Sequence, residues 1–170
     1  MVSVLADPST ARATAAAGSV LDPEVPVLTI ADLCVLRDVT VDTDGCVTVT
    51  VTPTYSGCPA MDVIRRDVRQ AVRAAGFDEV EVRTVLSPAW TTDWMTEQGR
   101  RALDDYGIAP PPGPRSGTLS DGPVLVALSV RCPQCRSMDT RETSRFGSTP
   151  CKSLWVCNAC REPFDHFKAL

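Results

Sequence analysis

The sequence predicts an α+β chain in two parts: a small two-layer α/β domain of about three strands with helices on one face, then a short cysteine-held ribbon. Three observations point there. Two Val- and Thr-rich runs with period-two alternation, residues 33–42 and 46–52, flank Asp44-Gly45, the strongest short-range hairpin signal. A stretch starting at Ala60 repeats apolar residues at Ile64, Val68, Ala71 and Ala75, close to the helical period. Near the C-terminal end stand two Cys-x-x-Cys pairs.

In chain order, an Ala-rich helix is expected over roughly residues 10–20, capped by Ser9 and ended by Asp22-Pro23-Glu24, because a residue before proline is pushed out of the α region. The alternating runs then form the hairpin. Thr52 to Pro59 is a loop leading into the second helix, which stops at Gly76, a residue suited to the left-handed position that ends helices. A third strand fits Val80 to Leu86, and a last helix runs from about Asp93, capped by Thr92, to Tyr106, stopping at Gly107. Residues 108–122 hold four prolines and three glycines, a composition that neither packs nor continues a helix or sheet, and so reads as a linker. The expected division is a domain over 1–107, a linker over 108–122 and a ribbon over 123–170.

In the ribbon, Cys132-Pro133-Gln134-Cys135 and Cys157-Asn158-Ala159-Cys160 form two knuckles. A two-residue gap lets both sulfurs of a knuckle face one ion, and two knuckles complete a tetrahedral four-cysteine shell for Zn²⁺. Val124 to Val130 and Ser153 to Val156 are expected as the short strands before the knuckles. So small a domain buries too little surface alone, and its metal, one zinc per chain, would supply folding energy. A rubredoxin-like iron site has the same spacing, and four unrelated buried thiols are the plainer alternative. With no ligand position open, the site suits structure or docking, not catalysis. Cys151 is a fifth cysteine nearby with no knuckle spacing.

Composition sets the outer limits. The chain has 170 residues, a formal charge of −4, 44% hydrophobic residues and no long apolar run, so no membrane span is expected. The N-terminal segment lacks the basic start and apolar core of a secretion signal. A cytoplasmic address follows as an expectation, and there eight cysteines are metal ligands or thiols, not disulfides. The single histidine, His166, excludes HExxH zinc sites and carboxylate-histidine di-iron sites, which need two, and leaves little room for Ser-His-Asp relays. Residues 1–130 carry −7 and residues 131–170 carry +3. A nucleic-acid-binding ribbon using Arg131, Arg136, Arg141 and Arg145 is therefore the weakest functional class, since four thiolates on one Zn²⁺ cancel most of that excess.

One other cysteine stands out. Cys58 follows Gly57 and precedes Pro59, which suits the first helical position. Cys58 then lies at or next to the N-cap, where the helix dipole and free N–H groups would lower its pKa and favour thiolate. Either a reactive, metal-touching thiol or a functionless N-cap thiol fits that position. Thr54, Tyr55 and Ser56 add hydroxyls to the same loop, while Asp22 and Glu24 either punctuate a turn or serve a site. Cys34 and Cys46 fall in the strands and read as core. Trp90 and Trp94 are either core or partner anchors.

These segments resemble the PaaD family, the D proteins of phenylacetate degradation, over nearly the whole chain. The resemblance is carried by Asp22 to Ile30, Thr52 to Met61, Leu86 to Met95, Tyr106 to Pro111, Phe146 to Lys152 and Glu162 to Lys168. The domain alone resembles the SufT-like iron–sulfur assembly domain, with its DPE turn and a cysteine at the position of Cys58. One departure is Cys34, where the resemblance leads one to expect glycine. The resemblance implies an accessory or maturation protein of the phenylacetyl-CoA epoxidase, a multicomponent oxygenase whose di-iron chemistry belongs to other subunits. It implies help in assembling or inserting a [2Fe–2S] cluster in the reductase component. Cys58 would be a transient ligand of an Fe–S cluster, with Asp22, Glu24, Thr54 and Ser56 shaping the site and the ribbon docking on a client. The expected partners are the reductase or other epoxidase subunits, with a homodimer open. A purely structural accessory subunit would need the metal but not Cys58.

Overall fold

The computed structural model describes residues 7–113 and 130–169. Its contacts divide the chain into two compact units, Met1–Trp90 and Thr91–Leu170.

In the first unit, α1 (Pro8–Gly18) is capped by Asp7, not by Ser9. The Asp7 carboxylate accepts the Ser9 N–H at 3.3 Å and also the Ser9 hydroxyl. Pro8 opens the helix, where its missing N–H leaves nothing unsatisfied. β1 (Leu36–Val41) and β2 (Val47–Val51) form the expected hairpin. Its turn has Gly45 at φ +84°, and Asp42 Oδ1 accepts the N–H groups of Asp44 and Cys46 at 3.0 and 2.8 Å. After β2 the chain passes through α2 (Ala60–Ala74) and returns as β3 (Val80–Thr84), parallel to β2. The sheet order is β1-β2-β3.

Val47, Val49 and Val51 alternate with Thr48 and Thr50 and are fully buried, as a strand with one covered face requires. Onto the sheet pack α1 and α2, which also touch each other. Ile64, Val68 and Val72 point inward from α2 at helical spacing. Between α1 and β1 the chain folds on itself through a bridge between Leu21 and Thr29. The first strand starts later than its sequence pattern predicts, because Cys34 turns into the left-handed region at φ 53°. Glycine takes that conformation freely, whereas a side chain costs about 1 kcal/mol there. Trp90, itself buried, pins the turn by donating its indole N–H to the Leu33 carbonyl at 2.8 Å. Neither Cys34 nor Cys46 lies inside a strand or the core. Both are half-buried beside turns.

The second unit begins earlier than the composition suggests. A short 3-10 turn (Thr92–Trp94) precedes α3 (Glu97–Tyr106), whose cap is Thr96 rather than Thr92. The Thr96 hydroxyl accepts the Gly99 N–H at 2.9 Å. Past Gly107, residues placed in the linker form β4 (Ile108–Ala109), which pairs in parallel with β7 (Pro163–Phe167). The sheet continues to β6 (Lys152–Cys157) and β5 (Thr140–Ser144), in the order β4-β7-β6-β5. The expected strand over 153–156 is thus β6, while the one over 124–130 lies, apart from Val130, outside the described residues. So does the linker beyond residue 113.

Arg100 explains why α3 joins this unit. The residue is buried at 6% exposure. It donates to the carbonyls of Pro111, Pro112 and Thr92 at 3.0, 2.8 and 2.6 Å. A buried charge must be hydrogen-bonded to be tolerated. Proline carbonyls, which no sheet has claimed, satisfy it.

His166, on β7, is half-buried against Trp155, with ring centroids 5.9 Å apart in an edge-on arrangement. Burial first, then Lys168, hold its pKa down to about 4. The folded state therefore prefers the neutral ring. The stability this gives is complete above the unfolded value near 6.5 and is lost as pH falls toward 4. Between pH 7.5 and 5.5 the wild type should lose roughly 1 kcal/mol more unfolding free energy than His166→Gln. Equal slopes in denaturant titrations of the two would contradict a neutral, buried ring.

Candidate functional site

Sulfur is concentrated at two places. In the second unit the Sγ atoms of Cys132, Cys135, Cys157 and Cys160 all lie within 4.8 Å of one another. Cys132 and Cys160 are 3.7 Å apart, and Cys135 and Cys157 are 3.5 Å apart. A tetrahedron with Zn–S bonds of ~2.3 Å has edges of about 3.8 Å, so the donors stand at the spacing an ion would draw them to. No cysteine of the chain is in a disulfide.

The two knuckles have the same backbone form. In each, the first cysteine's carbonyl accepts the N–H four residues on, Arg136 to Cys132 and Arg161 to Cys157, both at 3.0 Å. Each first cysteine donates its own N–H five residues on, to Ser137 and Glu162 at 2.9 and 3.0 Å. The residue after each second cysteine, Arg136 or Arg161, is left-handed at φ 66° and 68°. Two arginines hold a conformation that favours glycine, and paired backbone bonds keep them there. Arg136 also forms an ion pair with Asp104 of α3.

The thiols respond to this crowding. The Cys160 N–H reaches Cys157 Sγ at 3.5 Å and is the main cause that lowers Cys157 to about 7. Cys160 is driven up to about 12: the Glu162 N–H lowers it, but burial and the neighbouring sulfurs of Cys135, Cys157 and Cys132 prevail. Such a set exchanges protons for a divalent cation. It fits zinc, and all four positions are filled by protein. Cys151 is buried at the start of β6, and its thiol lies 3.0 Å from the Thr149 hydroxyl, outside this cluster.

The other place is Cys58 in the first unit. Gly57, at φ +92°, turns the chain so that Cys58 precedes Pro59, which is the N-cap of α2 and offers no side-chain cap. The Ala60 N–H and the Thr54 side chain instead lie near enough to the Cys58 thiol to lower its pKa. Asp22 is buried and holds the DPE turn, its Oδ1 accepting the N–H groups of Glu24 and Val25 at 2.9 and 2.8 Å. That turn sets both carboxylates near enough to act on Cys58. Ser56, by contrast, is exposed and is not among the groups that act on the thiol. At the head of the loop, Thr52 Oγ1 is buried without a hydrogen-bond partner, a feature that no sequence signal marks.

The expected thiolate at Cys58 is overturned. Burial is the largest effect and pushes the thiol up. The Ala60 N–H and the Thr54 side chain pull it down, while Glu24 and Asp22 raise it further. A helix end contributes ~0.3–1 kcal/mol, under one pKa unit, and desolvation with two nearby carboxylates exceeds that.

Comparison with known proteins matches the units separately. Residues 11–84 match the family described as iron-sulfur cluster assembly protein, and residues 120–168 match the PaaD zinc beta ribbon domain. A protein of Escherichia coli K12, provisionally named as the D component of 1,2-phenylacetyl-CoA epoxidase, is 44% identical over 99% of this chain and 98% of its own length. The chain belongs to the PaaD family. A Porphyromonas gingivalis protein named as an Fe-S protein maturation auxiliary factor is 42% identical over 50% of this chain and 81% of its own. The crystal structure of a DUF59 domain of unknown function from Bacillus anthracis aligns with TM-score 0.52 and 30% identity, over 56% of this chain and 91% of that one. No helix among the described residues is long and apolar enough to cross a membrane.

The raised thiol can be tested directly. Alkylation of Cys58 should be slow at pH 7 and accelerate as pH passes 9, and Glu24→Gln, which removes a raising charge, should bring that acceleration to lower pH. Fast labelling of wild-type Cys58 at neutral pH would show that the helix end prevails after all.

Proposed function

We propose that this PaaD-family protein is a maturation factor of the phenylacetyl-CoA epoxidase system, acting in the cytoplasm to help assemble or insert a [2Fe–2S] cluster in the reductase component. The observation that supports this best is the division of sulfur between two kinds of site. Four cysteines close a shell in the ribbon, while one further cysteine, Cys58, lies in the segment that matches the iron-sulfur assembly family. A closed shell holds its ion and cannot pass a cluster on. A lone thiol among Thr54, Glu24 and Asp22 can bind cargo and release it.

In this scheme Cys132, Cys135, Cys157 and Cys160 hold one structural Zn²⁺, which supplies folding energy to the second unit. Cys58 ligates cluster iron transiently. Its resting thiol must give up a proton when iron binds. Glu24 and Asp22, which raise the thiol pKa in the empty state, are the nearby charged groups able to receive it. That raised pKa also favours a second possibility, a non-catalytic accessory subunit in which Cys58 stays inert.

Elemental analysis should find near-stoichiometric zinc in the wild type and in Cys58→Ser, and little in Cys157→Ser, which opens the shell. Zinc missing from Cys58→Ser would mean that the two sites are not independent. For function, the reductase would be co-expressed with the wild type, with Cys58→Ser, or alone, and its [2Fe–2S] absorbance measured per chain. High occupancy is expected only with the wild type, since an alcohol is a poor iron ligand beside a thiolate. Full occupancy with Cys58→Ser leaves the accessory subunit in front, and equal occupancy in all three removes this client.

A further inference from the structure

The ribbon carries a cleft of about 380 Å³ that the cysteines do not use. Its floor is Ser153 and Trp155 of β6 and His166 of β7, and its rim is Arg145, Phe146 and Lys168. The strand register puts Ser153 opposite His166 and Trp155 opposite Phe164, so the floor residues share one sheet face. Trp155 also belongs to the buried cluster that contains Cys132, Cys157 and Phe164. The same indole thus packs on the metal-site cysteines and lines the cleft.

The floor is ordered by hydrogen bonds. Trp155 Nε1 donates to Ser153 Oγ at 2.9 Å. The Ser153 hydroxyl faces His166 Nδ1 at 3.4 Å.

The rim is exposed yet held. Phe146 is 71% exposed, but its backbone is tied on both sides. Its N–H and carbonyl both bond the Ser144 hydroxyl, at 3.2 and 2.8 Å. The next residue, Gly147, donates to the Lys152 carbonyl at 2.9 Å. A Cβ at Gly147 would come within 3.1 Å of Asp165 Oδ1 and 3.2 Å of Lys152 Cβ, so a side chain there would push its neighbours by a few tenths of an ångström. Lys168 Nζ sits 5.1 Å from the centre of the Phe146 ring and donates to the Arg145 carbonyl at 3.2 Å. Among the described residues neither Arg145 nor Lys168 is paired with a carboxylate.

We propose that this cleft is a docking site for a segment of a partner protein that presents one carboxylate beside one aromatic side chain. The volume lies within the ~300–1,000 Å³ of ligand clefts. Trp155, His166 and Phe146 offer ring faces and edges to an aromatic group, and two cations that no carboxylate of the described residues pairs are placed to meet the acid. Among the described residues the one lining carboxylate, Glu142, would repel a second acid and so selects against a polyacidic run. Because the floor and rim are already fixed, little ordering opposes binding.

The inference extends the client-docking role expected of the ribbon, and its test involves no cluster, so either can fail alone. The full-length, zinc-loaded protein would be titrated by NMR with the peptide N-acetyl-Gly-Phe-Asp-amide, following the His166 ring signals. Replacing the peptide's Asp by Asn, or its Phe by Ala, should each weaken binding about tenfold. Arg145→Glu and Lys168→Glu should do the same with zinc content unchanged, and Phe146→Ala is a further variant at an exposed position. Equal binding of all three peptides, or unchanged binding by both charge-reversal variants, would overturn the proposal. Benzoate alone binding as tightly as the peptide would also overturn it, since the site would then take small aromatic acids.

Discussion

Four sulfurs drawn within 4.8 Å of one another are the constraint around which the second unit is built. Without a cation, such a group is held together against itself: Cys157 yields its proton near 7 while Cys160 keeps its own to about 12. A divalent ion reverses the balance, because each thiolate that repels its neighbours is drawn to the centre. The surrounding fold follows. Cys132 and Cys157 are completely buried in a cluster with Trp155, Phe164 and Ala109, so the ion's ligands are also core residues. β4 reaches that cluster through Ala109, and α3 is held in the same unit by Arg100 and by the Arg136–Asp104 pair. A two-knuckle ribbon is thereby enlarged by a helix and a strand.

Local signals made the first unit legible. Asp44-Gly45 marks a hairpin because few residues accept positive φ, and Gly45 takes φ +84°. The Ile64–Val68–Val72 stripe of α2 becomes the buried face for the same reason it is periodic. Even Cys34, where resemblance led to an expectation of glycine, sits in the left-handed region. The four-cysteine cluster was legible too, since Cys-x-x-Cys spacing is itself a geometric statement. Non-local facts stayed hidden. Residues 108–122 look like linker throughout, but Ile108–Ala109 find a partner in β7, more than fifty residues on. Composition cannot show a pairing whose other half is distant. Arg100 reads as one more charge on a helix, and only its buried contacts with Pro111 and Pro112 reveal it as an anchor.

Cys58 shows how a correct placement can lead to a wrong electrostatic conclusion. Its position at the start of α2 was visible in Gly-Cys-Pro, and the expected N–H donor is present in Ala60. What sequence could not supply was the degree of burial, nor that the DPE turn folds back so that Glu24 and Asp22 act on the thiol. Asp22 spends its Oδ1 on two backbone N–H groups, fixing the turn and thereby the charge near the sulfur. The result is a protected thiol at rest. The thiol form is the less reactive one toward oxidants and electrophiles.

A [2Fe–2S] cluster takes four ligands, and the candidate site supplies one cysteine thiol. If cargo is held there, the remaining ligands must come from a second copy of the chain, from a carrier or from the client itself. Oxygen donors such as Glu24 bind iron less well than thiolate does. A site of this kind is therefore weak by construction. Weakness is what transfer needs: a client with four preorganised cysteines draws the cluster away, whereas a factor that completed the shell would compete with it. Under the proposed function, the closed four-cysteine ribbon has the opposite task of staying intact while the thiol site turns over. In the proposed scheme permanence and exchange thus fall to different sulfurs, and the ligand count at each, four against one, is what separates them.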